Sequence, residues 1–355
     1  MSEDKKSERP PGGGQPNLSE ETRPRFDPSK LERLPVSRMA LEEYFGRQGE
    51  ANPFALRKET FLRIERVTGR PLICYLAKTH SFPTGVPAYI DDSDLSGFGD
   101  LIYSVDGENI DILIVSNGGS VEATERIVRL IRDRFASVRF VVPGNAYSAA
   151  TLMCFSADDI LMGPMGTLGP IDPQINGVPA RAILRAFETI ETRLKEEGPR
   201  ALTAYMPLIS KYDLHILEIC KSAQELSKDL AGNWLRRYML KCNAEDPRPA
   251  QIVDYFSDYD ARKSHGRSID RKTARDLGLK VTDVEDVGGL AELVRSLHNQ
   301  YELWFDKLTF YKVFENARGI NWGRRSEAVS VQLPVFLPPG IPQPTPQPGP
   351  PERST

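Results

Sequence analysis

The sequence has 355 residues, with a formal net charge of −3 from 46 basic and 49 acidic side chains. This near-neutral balance gives no electrostatic reason to expect nucleic acid or an anionic membrane as a partner. No window approaches the ~20 apolar residues that a membrane-spanning helix needs, and the polar N-terminus lacks the apolar region of a secretory signal. We therefore expect a soluble, cytoplasmic protein, long enough to bury a sizeable core.

The cysteines and glycines give no sign of a bound metal or cofactor. None of the four cysteines belongs to a C-x-x-C pair, so we expect neither a disulfide framework nor a cysteine metal site. The G-x-G-x-x-G dinucleotide fingerprint and the Walker A motif are both absent from the sequence. We predict no cofactor, and an ATP-driven unfoldase, if one is needed, would be a separate partner that the sequence does not identify.

In chain order, the first segments are a polar tail and a helical extension. Residues 1–28 are rich in Gly, Pro and charge and are predicted to be disordered. Residues 29–69 are predicted to form a helical N-terminal extension with breaks. A strand is expected over Leu72–Leu76, followed by a short helix that Asp92 or Ser93 caps.

The central segments alternate between strand and helix. NIDILIVSN is a continuous apolar run that ends in a turn, which is typical of a strand buried on both faces. A helix follows it, then a second buried strand over Val138–Pro143, a helix over about Ser148–Ser156 and the short strand DDILM. This order predicts parallel strands joined by crossover helices, and hence an α/β fold.

The segments after the alternating region are mainly helical. VPARAILRAFETIETRLKEEG and DLHILEICKSAQELSKDLAGNWLRRYMLK predict strong helices. SIDRKTARDLGLKVTDV predicts a short helix with Gly278 as its C-cap, then a strand. A final long helix is predicted over residues 288–317. The Pro-rich tail, residues 337–355, is expected to be extended.

A Gly-Gly loop lies at the carboxyl end of the first buried strand of the alternating region. Ligands of open parallel sheets bind at this edge, and Gly118 and Gly119 allow backbone amides to approach a ligand closely. The amides of such a loop can hold a phosphate or stabilise an oxyanion. A tight turn with no further role is the alternative interpretation of these residues taken alone.

Ser148 occupies the corresponding place after the next strand. Serine is a preferred helix N-cap, so capping is the simpler interpretation of Ser148 by itself. However, Ser148 and the Gly-Gly loop are expected at the same edge of the sheet, one crossover apart. A hydroxyl beside backbone amides is the minimum arrangement for acyl transfer.

Three segments together resemble a known family. They are ILIVSNGGSVEATERIVRLI, VVPGNAYSAATLMCFSADDILMGPMGTLGPIDPQI and TARDLGLKV. They resemble the serine dehydrogenase proteinase family, which is similar to signal-peptide peptidase A and the Clp-type peptidases of the Clp/crotonase superfamily. The resemblance covers roughly residues 70–285, and its most specific part is LGPIDPQI after a serine-bearing helix.

The resemblance implies a Clp/crotonase-like spiral of ββα units with additional C-terminal helices. The peptidase domain would span residues 70–285, and a C-terminal helix and strand would occupy residues 286–336. This chain departs from the family at two places. The family commonly has His-Thr-Pro before the two glycines, where this chain has Val115, Ser116 and Asn117. It also commonly has a glycine where this chain has Ala150. The resemblance also implies a homo-oligomer that acts on peptides or proteins. The word "dehydrogenase" in the family's name has no support in this sequence, because the dinucleotide fingerprint is absent.

The resemblance also assigns roles to residues. Ser148 matches the nucleophile, Gly118 and Gly119 match the oxyanion loop, and the amide of Ala149 is a further candidate donor. The remaining predicted substrate-binding residues come from the same loop and from GPIDPQI: Asn117, Gly169, Pro170 and Asp172.

The general base is the part of the site that the resemblance leaves open. Clp-type peptidases use a His after the Ser, but the matching window around Pro170–Gln174 contains none. A Ser-Lys dyad, as in signal-peptide peptidases, is therefore favoured, and Lys195 and Lys211 are the candidates. A lysine acts as a base near neutral pH only when it is partly desolvated.

Three further side chains fit the role of base less well than these lysines. The related lysine of membrane-associated archaeal proteases would fall near Arg181, which stays protonated and cannot act as a base. His80 and His265 have the right chemistry but do not match the Clp position. The sequence therefore favours a serine endopeptidase. Its alternatives are a catalytically degenerate scaffold or peptide-binding protein and a crotonase-like acyl-CoA enzyme.

Overall fold

The computed structural model describes residues 35–47, 53–81, 86–199, 202–213, 215–258 and 267–326. The predicted disordered tails, residues 1–28 and 337–355, lie outside the described residues. All the statements below concern the described part of the chain.

The strands over residues 72–77, 109–115, 137–142 and 159–162 are largely buried apolar runs, and they lie where the sequence predicted strands. In chain order the strands are β1 (Leu72–Ala77), β2 (Asn109–Val115), β3 (Ser137–Val142), β4 (Asn145–Ala146), β5 (Asp159–Met162), β6 (Thr167–Leu168), β7 (Gln174–Ile175), β8 (Val178–Pro179), β9 (Ile269–Asp270), β10 (Val281–Asp283), β11 (Phe310–Asn316) and β12 (Asn321–Arg325).

The α-helices alternate with the strands in the first half of the chain and cluster in the second. They are α1 (Arg38–Arg47), α2 (Pro53–Thr68), α3 (Asp94–Tyr103), α4 (Val121–Arg134), α5 (Ala149–Phe155), α6 (Ala180–Glu197), α7 (Leu202–Ile209), α8 (Ile216–Trp234), α9 (Arg248–Ser257), α10 (Arg271–Asp276) and α11 (Leu290–Lys307). A π-helical turn, Leu235–Met239, continues α8.

A seven-stranded sheet with the order β10-β5-β3-β2-β1-β11-β12 forms the centre of the fold. The first five strands of this order are parallel, and β11 and β12 add an antiparallel hairpin beside β1. The predicted α/β class with parallel strands and crossover helices is therefore confirmed.

Helices cover both faces of the sheet, so its central strands β1, β2, β3 and β5 are largely apolar. On β2, Ile112 and Ile114 belong to the cluster that includes residues of α3, α4, α5 and α8. Leu113 and Val115 point to the opposite cluster, with residues of α2 and α11. A parallel strand buried on both sides needs a continuous apolar run rather than an alternating one.

The C-terminal segment differs from the sequence-based prediction. The last helix ends at Lys307, and residues 310–316 form β11 instead of continuing the helix to residue 317. Lys312 and Glu315 are fully or almost fully buried in this strand. Because charged residues are usually exposed, the sequence of this segment does not indicate a buried strand. Partners from distant segments make that burial possible.

A second, three-stranded sheet lies beyond the carboxyl ends of β2 and β3. It has the order β4-β6-β9, and Ser116 forms an isolated bridge with Ala146 of β4. These pairings fix the chain after each central strand. No described helix is both long and apolar enough to cross a membrane.

Candidate active site

Ser148 has a backbone conformation that non-glycine residues rarely adopt. It stands between β4 and α5, with φ 53° and ψ −119°. Such a conformation costs on the order of 1–3 kcal/mol and persists only where the surroundings impose it. Here β4 pairs with β6, and Leu152 N donates to the carbonyl of Ser148 at 3.1 Å. The chain is thus fixed on both sides of the serine.

The Ser148 hydroxyl does not cap its helix. Its side chain accepts no hydrogen bond from the first turn of α5. By contrast, Ser120 caps α4, because its Oγ accepts a hydrogen bond from the amide of Ala123 at 3.0 Å. The capping interpretation therefore holds for Ser120 and fails for Ser148, whose side chain lines an open cleft.

The two glycines allow the loop after β2 to pack closely between Ser148, on the side of Gly118, and Ile90, on the side of Gly119. A β-carbon added at Gly118 would lie 2.7 Å from Ser148 Cβ and 2.6 Å from the carbonyl oxygen of Tyr147. One added at Gly119 would overlap the backbone of Ile90. Both glycines also have positive φ, 97° and 154°, which L side chains rarely adopt.

The backbone amides of the loop have different roles. Gly118 N donates to Ser116 Oγ at 3.1 Å, so this amide is already engaged. Among the described residues, the amides of Gly119 and Ala149 have no hydrogen-bond acceptor. The resemblance assigned the amides of Gly118, Gly119 and Ala149 to an oxyanion hole. In this structure the amides of Gly119 and Ala149 are the candidate donors, while Gly118 allows the loop to approach Ser148 closely.

The cleft beside Ser148 has a volume of about 770 Å³. Its lining combines residues 119–122, at the end of the Gly-Gly loop and the beginning of α4, with residues from the loop before α3, the loop after β6, the β7–β8 hairpin and α8. Several lining residues had no distinguishing signal in the sequence: Tyr89, Tyr147, Ile171, Gln174, Ile175, Ala223 and Leu226. Ala223 and Leu226 belong to the apolar stripe of α8, a pattern that marks a helix face without showing what it contacts.

The predicted substrate-binding residues divide between the surface of the cleft and the layer beneath it. Asn117 lines the cleft, and its Nδ2 donates to the carbonyl of Thr79 at 2.8 Å. Gly169, Pro170 and Asp172 are buried and do not line it. Their loop is instead joined to α5 through Thr151, whose Oγ1 accepts a hydrogen bond from Gly169 N at 3.0 Å.

The two candidate lysines lie on the exposed helical region that follows the cleft. Lys195 is 73% exposed on α6 and forms an ion pair with Glu191 at 2.6 Å. Lys211 follows α7 and is also exposed. Arg181, at the beginning of α6, pairs with Glu188 at 2.9 Å. Within the described residues, no lysine or histidine lines the cleft of Ser148.

The described histidines lie elsewhere. His80 and His298 both approach Glu302, at 3.7 and 3.8 Å. Burial lowers the pKa of His298 to about 4, so this side chain is neutral at pH 7. His215 is exposed before α8, and His265 lies outside the described residues. The part of the chain that the structure describes contains no cluster of His, Cys, Asp and Glu suited to a metal ion.

Comparison with protein families gives one match over most of this region. The family described as "ClpP-like SDH-type serine proteinase" matches residues 57–292, about two thirds of the chain. The match contains Ser148, the Gly-Gly loop and every residue that lines the cleft. It ends before β11 and β12.

Two curated relatives are uncharacterized proteins of Methanocaldococcus jannaschii. MJ1495 is 26% identical over 193 residues, which are 50% of this chain and 64% of the relative. MJ0137 is 39% identical over 79 residues, which are 22% of this chain and 28% of the relative. The chain therefore matches less than two thirds of the length of either relative.

Solved structures with a partial likeness include proteases. The membrane-bound stomatin-specific protease 1510-N, as a mutant with a substrate peptide, gives a TM-score of 0.33 at 21% identity, covering 54% of this chain and 70% of its own. The ClpP protease catalytic domain of Plasmodium falciparum gives 0.32 at 13% identity, covering 62% and 88%.

Proposed function

Because the chain belongs to the family of ClpP-like SDH-type serine proteinases, we propose that it is a serine endopeptidase with Ser148 as its nucleophile. One observation carries this proposal. Ser148 has a strained backbone and a hydroxyl that does not cap its helix, and it lies in contact with a loop that only glycines allow to approach it. A serine needed only to begin a helix requires none of these features.

The proposed chemistry has two steps. Ser148 Oγ attacks the carbonyl carbon of the scissile peptide bond while a general base takes its proton. The amides of Gly119 and Ala149 donate hydrogen bonds to the negatively charged oxygen of the tetrahedral intermediate. The base returns the proton to the leaving amine, and a water molecule then hydrolyses the acyl-enzyme. No metal or cofactor takes part in this scheme.

The lining of the cleft supports a peptide substrate with an apolar side chain near the scissile bond. Ile171, Ile175 and Leu226 supply apolar surface, while Asn117 and Gln174 offer amide groups for a peptide backbone. All four cysteines are free in the described structure, which is consistent with the proposed action in the reducing cytoplasm.

Labelling with a fluorophosphonate probe tests the proposal directly. The probe reacts with activated serines, so we expect mass spectrometry to locate the adduct on Ser148. Hydrolysis of peptides with apolar residues should be measured on the same sample. Absence of both labelling and hydrolysis in every assembly state of the protein would reject the proposal.

We further propose a lysine as general base, with Lys195 and Lys211 as the candidates. A solvated lysine keeps its proton at neutral pH and is a poor base. Both side chains are exposed in the single chain, so the proposal requires that substrate or a second copy covers them. They lie on the helical region that begins directly after the β7–β8 hairpin of the cleft.

The replacement of each lysine by methionine distinguishes the two candidates. We expect one of Lys195→Met and Lys211→Met to lower kcat by about 10²- to 10⁴-fold, the usual contribution of general-base catalysis. Lys221→Met is the matched control, because Lys221 is an exposed lysine paired with Glu218 on α8. If both variants match the control, neither lysine is the base. Lys263 and His265, outside the described residues, would then be replaced in the same way.

A second copy of the chain is the proposed cover for α7. None of the eight residues of this helix is buried, although most are apolar. Met206 and Leu208 are 51% and 53% exposed. An apolar helix left open in a single chain is typical of an interface between subunits.

Charge introduced on α7 tests the proposed assembly. We expect the native protein to have a multiple of the 39.7 kDa chain mass in light scattering, and the double variant Met206→Asp, Leu208→Asp to shift toward that mass. Met39→Asp is the control, since Met39 is 79% exposed but lies on α1. An unchanged mass for the α7 variant would remove this helix from the proposed interface.

A catalytically inactive peptide-binding protein is the second candidate function. The observation that favours it is the lack of a lysine or histidine among the described residues that line the cleft. Such a protein would bind peptides without turnover. Peptide hydrolysis that is lost in Ser148→Ala would reject this alternative.

A further inference from the structure

A buried lysine lies at the end of a hydrogen-bond chain beneath the Gly-Gly loop. Lys312, on β11, is completely buried. Its ammonium group donates to both carboxylate oxygens of Asp94 at 2.9 Å and to Asp91 Oδ2 at 2.9 Å. Asp94, at the beginning of α3, is also completely buried. A lysine is rarely buried unless it is paired in this way.

A tyrosine also donates a hydrogen bond to this ion pair. Tyr75, on β1, donates its hydroxyl proton to Asp94 Oδ2 at 3.0 Å. Tyr75 and Lys312 therefore both donate to the carboxylate of Asp94, and Lys312 balances its charge.

The connection from the ion pair to the Gly-Gly loop runs through the backbone before α3. Asp91 N donates to Asp94 Oδ2 at 3.1 Å. The next residue toward the N-terminus, Ile90, donates its amide to the carbonyl of Gly118 at 2.8 Å and accepts the amide of Ser120 at 2.8 Å. Ile90 therefore holds the backbone on both sides of Gly119. This backbone connection links the ion pair to the loop that carries the amide of Gly119 beside Ser148.

The chemical nature of Asp94 makes this arrangement depend on Lys312. Burial raises the pKa of Asp94, and the charge and hydrogen bonds of Lys312 oppose that effect. Without the lysine, the buried carboxyl would bind a proton more readily and become a donor. A donor at this place opposes the direction of the hydrogen bonds from Tyr75 and the backbone.

We propose that Lys312 is a positioning residue that holds the oxyanion loop in the geometry required for acyl transfer. The inference rests on the proposed function, because it assigns Lys312 to the same site. It goes beyond the family match, which ends at residue 292 and does not include β11. Lys312 itself contacts neither Ser148 nor the cleft.

The test compares Lys312→Met with Arg57→Met. Arg57, on α2, is equally buried, pairs with Glu315 of the same strand at 2.8 Å and lies over the rings of Tyr301 and Trp304 in the opposite core cluster. Both variants remove one cation from a buried pair on β11, so both are expected to lower the melting temperature. At a temperature where both remain folded, we expect only Lys312→Met to lower kcat, by about tenfold or more, with little change in KM.

Hydrogen exchange supplies a readout that does not need peptidase activity. The amides of residues 116–120 should exchange faster in Lys312→Met than in Arg57→Met or the native protein. If Lys312→Met does not fold, Tyr75→Phe replaces it, because this change keeps the ring and the lysine but removes one hydrogen bond to the buried carboxylate of Asp94. We then expect faster exchange at residues 116–120 with a smaller loss of kcat.

The outcomes separate the two proposals. Unchanged exchange at residues 116–120, or equal losses of kcat in Lys312→Met and Arg57→Met, would overturn the positioning role of Lys312. Faster exchange in a protein whose native form neither hydrolyses peptides nor labels at Ser148 would overturn the proposed peptidase and leave the structural connection intact.

Discussion

Ser148→Ala should lower the rate of peptide hydrolysis by about 10⁴-fold or more and abolish fluorophosphonate labelling, since the loss of a nucleophile has effects of this size in serine peptidases. The residual rate would come from peptide binding and from the amides of Gly119 and Ala149. Steady-state kinetics and labelling of the purified variant measure both effects. The cleft remains, so peptide binding should persist.

A glycine at the same position separates catalysis from stability. Ser148 has φ 53°, a conformation that glycine adopts at less cost. We expect Ser148→Gly to be as inactive as Ser148→Ala but about 1 kcal/mol more stable than it. Urea denaturation of the two variants measures the difference. A serine kept in a strained conformation at a cost in stability is what a functional role for Ser148 implies.

Ser156→Ala is the matched control for these variants. Ser156 lies at the other end of α5, where its buried hydroxyl donates to the carbonyl of Met153 at 2.6 Å. Its replacement should lower the free energy of unfolding by about 1 kcal/mol and leave hydrolysis unchanged. Normal hydrolysis by Ser148→Ala would contradict the assignment of Ser148 as the nucleophile. Equal losses of hydrolysis in Ser148→Ala and Ser156→Ala would indicate a general effect of altering α5.

Gly119→Ala is expected to lower kcat by about 10²- to 10³-fold, similar to the loss of one oxyanion-hole donor. The added methyl group would overlap the backbone of Ile90, so the loop must move and its free amide moves with it. Gly118→Ala should act similarly, because its methyl group would lie 2.7 Å from Ser148 Cβ. Hydrolysis and the rate of Ser148 labelling measure both variants.

Gly99→Ala is the control for the glycine variants. Gly99 lies in α3, and a β-carbon there would have no atom within 4 Å. This replacement should stabilise the protein by about 1 kcal/mol through helix propensity and leave activity unchanged. Full activity of Gly119→Ala would show that the loop does not hold the oxyanion.

The central sheet and the position of Ser148 could be predicted because local patterns specify them. The apolar runs of β2 and β3 are continuous, as expected for strands between two layers of helices. Each is followed by small residues, and parallel strands bring such turns to one edge. Two turns at one edge were therefore enough to place Ser148 beside Gly118 and Gly119 from the sequence alone.

The general base and β11 depend on contacts between distant parts of the chain. In FYKVFEN the buried Lys312 pairs with Asp94, 218 positions earlier, and no local pattern indicates that the lysine is inside. The apolar residues of α11 recur at helical spacing, and the sequence-based prediction continued that helix into the strand. Lys195 and Lys211 were chosen by their position after Ser148, and that spacing does not predict whether a lysine is buried. Both are exposed in the structure.

The position of β11 in the sheet has a consequence for the order in which the site is completed during synthesis. Ser148 and the loop beside it leave the ribosome long before Lys312, which follows Ser148 by 164 positions. At synthesis rates of about 5–20 residues per second, this interval lasts roughly 10–30 seconds. During that time the carboxylates of Asp91 and Asp94 have no Lys312 to pair with. If the proposed roles of Ser148 and Lys312 hold, a nascent chain would carry its serine well before it could hold an ordered oxyanion loop, and peptide hydrolysis would be delayed until the last strands of the sheet had been made.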